Sequence, residues 1–275
     1  MNEKKISAIS LIAAVVAVVL SQFRPLYTYL DKPKLTSTVA PMLQIYHQWG
    51  FISVTPFLQF KNSGNASGTI SRIELLLEKK DDPRFHLRLQ ALSYFLKPST
   101  VSTGQIVTSV PFADIQLGPG ETWEAYVTLG LIPPKAEQVK IADFKLQIYQ
   151  QIQATLAKRP FTPFDSAPKK IDERLFGRVR GLVDRNMSGF GVGEYNLLLV
   201  FEDDLSKVLF ITKCYNISVY EADMKFLSEI TNQYKMGAGV YFPSQSQLAQ
   251  GFYTPLIEIS DETVKSKMQE NFKHF

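Results

Sequence analysis

Cysteine is almost absent: Cys214 stands alone in 275 residues. No disulfide can form within the chain, and no thiolate-rich metal site can be built. No Cys follows the apolar amino-terminal stretch, which excludes a lipid-modified cysteine there. Histidine is nearly as scarce. His47, His86 and His274 never fall at His-x-His or His-x-x-x-His spacing, so no metal-ligand pair is visible. His86 falls on the polar face of a strand pattern, as a solvated side chain does. Gly-x-Ser-x-Gly does not occur. Gly189 to Gly193 is spaced Gly-x-Gly-x-Gly, and it follows a helical pattern and opens a strand. A dinucleotide turn needs the reverse order. Catalytic residues, cofactor-binding residues and metal ligands are therefore all expected to be none. The net charge of +4 is too small to argue for nucleic acid, and none is expected as a partner.

What is present begins with Ile6 to Phe23, ISAISLIAAVVAVVLSQF, bracketed by Lys5 and Arg24. A bilayer core needs roughly 20 apolar residues, with about 17 tolerated. Ser7, Ser10 and Ser21 can bond the helix's own carbonyls. The segment predicts a transmembrane helix and a single-pass integral membrane protein. A cleaved signal peptide and a buried core helix are the competing readings. Lys4 and Lys5 face Arg24, Lys32 and Lys34 across it, nearly a tie by the positive-inside rule. The short overhang favours the amino terminus inside. The body would then lie at the cell membrane's periplasmic or extracellular side.

At 45 % hydrophobic and 20 % charged residues, the remainder can fold around a core. Met42–His47 and Ile52–Phe60 read as strands around Gln48-Trp49-Gly50, with Pro56 marking an edge strand or a bulge. Asn62 to Gly68 is a turn. Thr69–Glu78 places Ile73, Leu75 and Leu77 on one face. Phe85–Phe95 alternates cleanly. Gln105–Phe112 is a weaker strand, and Gly118-Pro119-Gly120 a turn. Trp123, Ala125, Val127 and Leu129 alternate, as do Phe144, Leu146, Ile148 and Ile152. Roughly seven short strands split by Gly/Pro/Asn turns predict an antiparallel β-sandwich.

Ile171, Leu175, Val179, Leu182 and Val183 recur at helical spacing through about Arg185. Tyr195–Phe201 and Val208–Tyr220 form a hairpin turning at Asp203 to Ser206. Leu227, Ile230 and Tyr234 stripe a short helix. Met236 to Ile259 reads as aromatic loop. Ser260 caps a last helix bearing Val264, Met268 and Phe272. The predicted organisation is thus 1–5 short cytoplasmic terminus, 6–23 anchor, 24–37 linker, 38–235 β-sandwich domain with a helix inserted near 171–185, and 236–275 carboxy-terminal extension with a short helix.

The order of anchor, Pro-containing linker, strand and then LQFKNSGNASGTISRIELLLE, residues 58–78, resembles bacterial single-pass membrane proteins with an Ig-like sandwich outside the membrane. The shared pattern is a strand, an Asn-x-Gly turn and a Gly-x-Ile-x-x-Ile strand. The resemblance implies a fold and a place, and carries over no functional residue. The fold expected is mainly β: an antiparallel Ig-like β-sandwich with a few peripheral helices, preceded by one transmembrane helix.

Acids at Asp81-Asp82 and at Glu202-Asp203-Asp204 read as solvated turn residues, and Cys214 as a buried, unreactive thiol. One segment is unusually basic. Lys169, Lys170, Arg174, Arg178, Arg180 and Arg185, with Lys158 and Arg159, read either as a solvated helix face or as a contact for an anionic surface. The function expected is a membrane-tethered, non-enzymatic binding, scaffolding or assembly module with a protein partner. The alternatives are an envelope hydrolase whose site assembles only in three dimensions, and an accessory subunit of a membrane complex.

Overall fold

Two left-handed residues turn the first hairpin. Trp49 has φ 57 and Gly50 φ 85, the signature of a two-residue turn whose twist suits antiparallel strands. It joins β1 (Leu35–Gln48) to β2 (Phe51–Asn62). The computed structural model describes residues 32–82, 84–96, 109–158, 170–203, 209–237, 240 and 251–274. Beyond the first hairpin these comprise β3 (Gly68–Lys79), β4 (His86–Leu96), β5 (Val110–Pro111), β6 (Ile115–Leu117) and β7 (Thr122–Gly130). Then come α1 (Lys135–Lys158), α2 (Glu173–Asn186), β8 (Gly193–Asp203), β9 (Leu209–Val219) and α3 (Glu221–Gln233). A 3-10 turn at Tyr234–Met236, β10 (Phe252–Pro255), β11 (Ile257–Glu258) and α4 (Glu262–His274) complete the order.

The expectation of a mainly β, antiparallel domain with a few helices holds. The strands form one continuous sheet in the order β10-β1-β2-β7-β4-β3-β8-β9-β11, with β5 on β4 and β6 on β3. Residues 252–258 bring its ends together. β10 pairs with β1 from Ile45↔Phe252 to Met42↔Pro255, and β11 pairs with β9 at Ile257↔Asn216. Between them the Leu256 amide donates to the Pro41 carbonyl at 2.7 Å. The sheet is therefore nearly closed and barrel-like. Alternation puts Ile45, Val54, Phe60, Leu75, Val127, Leu197 and Ile217 in its interior core, each burial stabilising by about 2 kcal/mol. On β8, Leu198 and Val200 face outward instead, beneath Met268 and Phe272 of α4.

Several expectations are corrected. Phe144 to Ile152 is helix, not strand: Ile141, Phe144, Ile148 and Ile152 share one buried helical face, and Leu146 points to solvent. Pro56 is interior, since β2 lies between β1 and β7. The irregularity it foretold is a register shift in β1 between Val39 and Leu43. β1 begins at Leu35, inside the expected linker, and the expected loop 236–259 supplies the closing strands. Asp261, not Ser260, caps α4, its carboxylate accepting from the Thr263 amide at 2.8 Å. Glu202 is no free turn acid but pairs with Arg72 at 3.1 Å.

Ile6 to Phe23, Lys169, the Asp204 to Ser206 part of the hairpin turn and Gln105 to Thr108 lie outside the described residues. Among the described residues no helix is long and apolar enough to cross a membrane.

The register gives the barrel two distinct ends. Leu35, Asn62, Gly68, Leu117 and Thr122 gather at one. Trp49, Gly50 and Gly130 gather at the other, where Trp49 joins the core of α1 and α2.

Candidate docking surface

The first wall of the site grows from the β7–α1 connection. Pro133 and Pro134 stop the strand. The Pro134 carbonyl accepts from the Glu137 and Gln138 amides at 2.9 and 3.0 Å, and the Gln138 side chain donates to the Pro133 carbonyl at 2.7 Å. The chain then runs 24 residues as α1. One face, from Ile141 to Ile152, packs with Leu175, Val179 and Val183 of α2. Gln151 of α1 ties the α2 N-cap: its Oε1 accepts from the Asp172 amide at 2.9 Å, and its Nε2 donates to the Asp172 carboxylate. The Leu175 amide and Gln151, with Arg174 nearby, hold that carboxyl below the usual range.

The opposite face of α1 carries Val139, Ala142, Leu146 and Tyr149. Val139 is 58 % exposed, Leu146 55 % and Tyr149 42 %. Beside it a cleft of about 330 Å³ opens between α1 and the barrel wall. Phe51, Ser53 and Leu92 come from the strands, Leu131 to Pro133 from the connection, and Gln138, Ile141, Ala142 and Lys145 from α1. Gln48 and Trp49 close the end. Lys145 is the one charged side chain among the described residues of this lining.

Trp49 is the strained member of the site. A bulky side chain at positive φ costs about 1 kcal/mol or more. Three contacts enforce it. Its amide donates to the Tyr234 hydroxyl at 2.8 Å, its ring stacks on Tyr234, and its carbonyl accepts from Asn186 Nδ2 at 2.9 Å. Burial pushes the Tyr234 phenol up to about 12, partly opposed by the Trp49 amide. Gly50 fits because a Cβ there would lie 2.5 Å from the Val183 carbonyl oxygen. Such strain collects at functional sites when surroundings over-determine it.

A second cleft of about 330 Å³ lies between α2 and α3, lined by Arg180, Asp184, Met187, Phe190, Met224 and Asn232 among others. Behind it His47 is fully bonded. Its Nδ1 accepts from the Gly50 amide at 3.2 Å, so the proton sits on Nε2, which donates to the Leu227 carbonyl at 2.9 Å. That ring serves the fold.

Of the expected basic set, Lys170, Arg174, Arg178, Arg180 and Arg185 lie among the described residues. Arg178 lies 5.1 Å over the Phe144 ring and donates to Gln147. Arg180 pairs with Asp184 at 3.8 Å and Arg185 with Glu137 at 3.5 Å. Lys140 above all, with Arg185, holds the Glu137 carboxyl low. Lys170 and Arg174 are exposed at the start of α2. Among the described residues no three His, Cys, Asp or Glu stand close enough to hold a metal, and neither cleft is lined by two carboxylates.

Sequence reasoning missed Trp49 and the α1 stripe. The stripe left a signal, the 3-4-3 spacing from Val139 to Tyr149; the sign of a φ angle leaves none. No family model, no curated protein and no solved structure matches the chain.

Proposed function

We infer that the chain is a membrane-tethered, non-enzymatic binding module of the cell envelope, and that the cleft and exposed stripe along α1 form its contact surface. The observation carrying this is continuity: exposed Ile132, Val139, Leu146 and Tyr149 adjoin a cleft whose strained Trp49 is held by three separate contacts. Contiguous apolar surface of this kind marks a site of macromolecular contact. Clefts with at most one carboxylate each favour binding over the envelope hydrolase, whose chemistry wants a pair. An accessory subunit of a membrane complex is the form this module takes if its partner is itself a membrane protein.

The tether is Ile6 to Phe23, and the body it holds is the antiparallel β domain. The 14 residues of β1 span about 45 Å at strand rise. Gln48 and Trp49 at its far end border the cleft, so the cleft lies a strand length from Leu35, which favours a protein over lipid as its contact.

A photo-crosslinker at Leu146, in the full chain in its own cells, is the test. A discrete protein adduct, absent from a control at exposed Glu121, is expected. No adduct, or release of the intact chain by carbonate, overturns the reading.

A further inference from the structure

We propose that the α1 surface receives an amphipathic helix of a partner protein, with an acidic flank turned toward Lys145. The proposal rests on the binding-module reading and specifies the partner's chemistry. Val139, Ala142, Leu146 and Tyr149 follow one another at steps of three, four and three. That is the narrow seam by which one helix packs along another, not the broad stripe of a helix facing its own core. The broad stripe of α1 is already used on its other side, by Ile141, Phe144, Ile148 and Ile152. Ala142 is the small member of the seam. With Val139, Asp143 and Leu146 it frames one position of the knobs-into-holes pattern, which a side chain of an incoming helix fills. A strand offers side chains at a period of two and does not match this spacing.

Charge selects the flank. On the cleft side the seam is bordered by Gln138 and Lys145, and among the described residues of the lining there is no carboxylate to neutralise that ammonium. On the other side it is bordered by Asp143 and Gln150, and the Asp143 carboxylate already accepts from Gln147 Nε2 at 2.6 Å. An acid on the incoming helix beside Lys145 gains a partner, whereas a lysine there meets a like charge in a partly desolvated groove. A second copy of the chain fits less well. Two α1 helices packed antiparallel about a two-fold axis place Lys145 against its own symmetry mate. An anionic bilayer fits less well because Asp143 borders the same seam.

Two stapled 16-residue helices test this against the full chain in phosphatidylcholine nanodiscs. Both carry Leu along one seam. One has Glu on its flanks and the other Lys. Fluorescence anisotropy should show the Glu helix binding about tenfold tighter than its Lys twin, the equivalent of one favourable charge pair. Lys145→Glu should reverse that order. Leu146→Asp should abolish binding while leaving the circular dichroism spectrum unchanged, as a substitution at an exposed position does.

Equal affinity for both helices, binding of neither, or indifference to Leu146→Asp overturns the proposal. So does a wild-type dimer that Leu146→Asp makes monomeric, which assigns the seam to a second copy. So does Leu146-dependent binding to vesicles of phosphatidylglycerol and phosphatidylcholine, which assigns it to lipid. Should both helices fail while the crosslink from Leu146 to a protein persists, the docking surface stands and only the acidic helix falls.

Discussion

The ring of Tyr234 lies on that of Trp49, centroids 4.5 Å apart and planes 23° from parallel, while its hydroxyl accepts the Trp49 amide proton. One side chain thus holds both the backbone and the ring of a residue that would otherwise leave the left-handed region. Tyr234→Phe keeps the stack and orphans a buried amide. The expected loss is about 1–3 kcal/mol, seen as a lower urea midpoint at unchanged slope. A variant as stable as the wild type would show that the hydroxyl does nothing for the turn.

His47 gives stability a pH dependence of predictable sign. Burial pushes its pKa below 6.5, partly opposed by the Leu227 carbonyl. The folded chain keeps the ring neutral where the unfolded chain protonates it. Stability from this group is therefore complete above about pH 6.5 and declines as pH falls below it toward the lowered folded value. Denaturation midpoints measured from pH 7.5 to 5.5 should fall in the wild type and stay flatter in His47→Gln. Parallel curves would assign the effect elsewhere.

Asn62 anchors the far end of the barrel. Its Oδ1 accepts from the Lys34 and Gly64 amides at 3.2 and 3.0 Å. Its Nδ2 donates to the Ala66 and Leu117 carbonyls at 2.7 and 3.0 Å. Asn62→Ala leaves the buried Leu117 carbonyl and three partly buried backbone groups without these partners, at an expected cost of about 3 kcal/mol. Asn62→Asp should do no better, because a carboxylate then faces two carbonyl oxygens. Calorimetric midpoints decide, and an Asp variant at wild-type stability would overturn the assignment.

Cys214 reports on α4. It is buried with Ile259, Met268 and Phe272, and desolvation pushes its thiol up to about 11. At pH 8 about one thousandth of such a thiol is thiolate, so Ellman's reagent should react only on opening of the helix. Phe272→Ala also removes the ring under the Arg88 guanidinium, 4.4 Å away, and should speed the reaction at least about tenfold. Equal rates in the two proteins would mean that α4 does not guard the thiol.

Much of the barrel was legible because apolar and polar residues alternate with a period of two in β4 and β7; on β3 the outward Leu76 breaks that pattern and is buried with α4. The same period serves open, stacked and closed sheets, so the strand pattern alone does not reveal closure. α1 misled because Phe144, Leu146 and Ile148 alternate over a short window. The longer repeat from Ile141 to Ile152, among good helix formers such as Lys, Gln and Ala, decides for helix. β10 and β11 are too short to show a period at all. Their conformation comes from the two edges they join, not from their own residues. Of the docking surface, the side chains were readable, but the face they share became visible only once α1 was known to be helical.

The joining of those edges by residues 252–258 has a consequence for synthesis. Met42 meets Pro255 across roughly two hundred residues of intervening chain, and distant pairings of this kind form late. A growing polypeptide exposes the rims of β1 and β9 until residues 252–258 have left the ribosome. Chaperone capture in that interval, and proteolysis of carboxy-terminally truncated products, follow from a closure that the chain cannot attempt early.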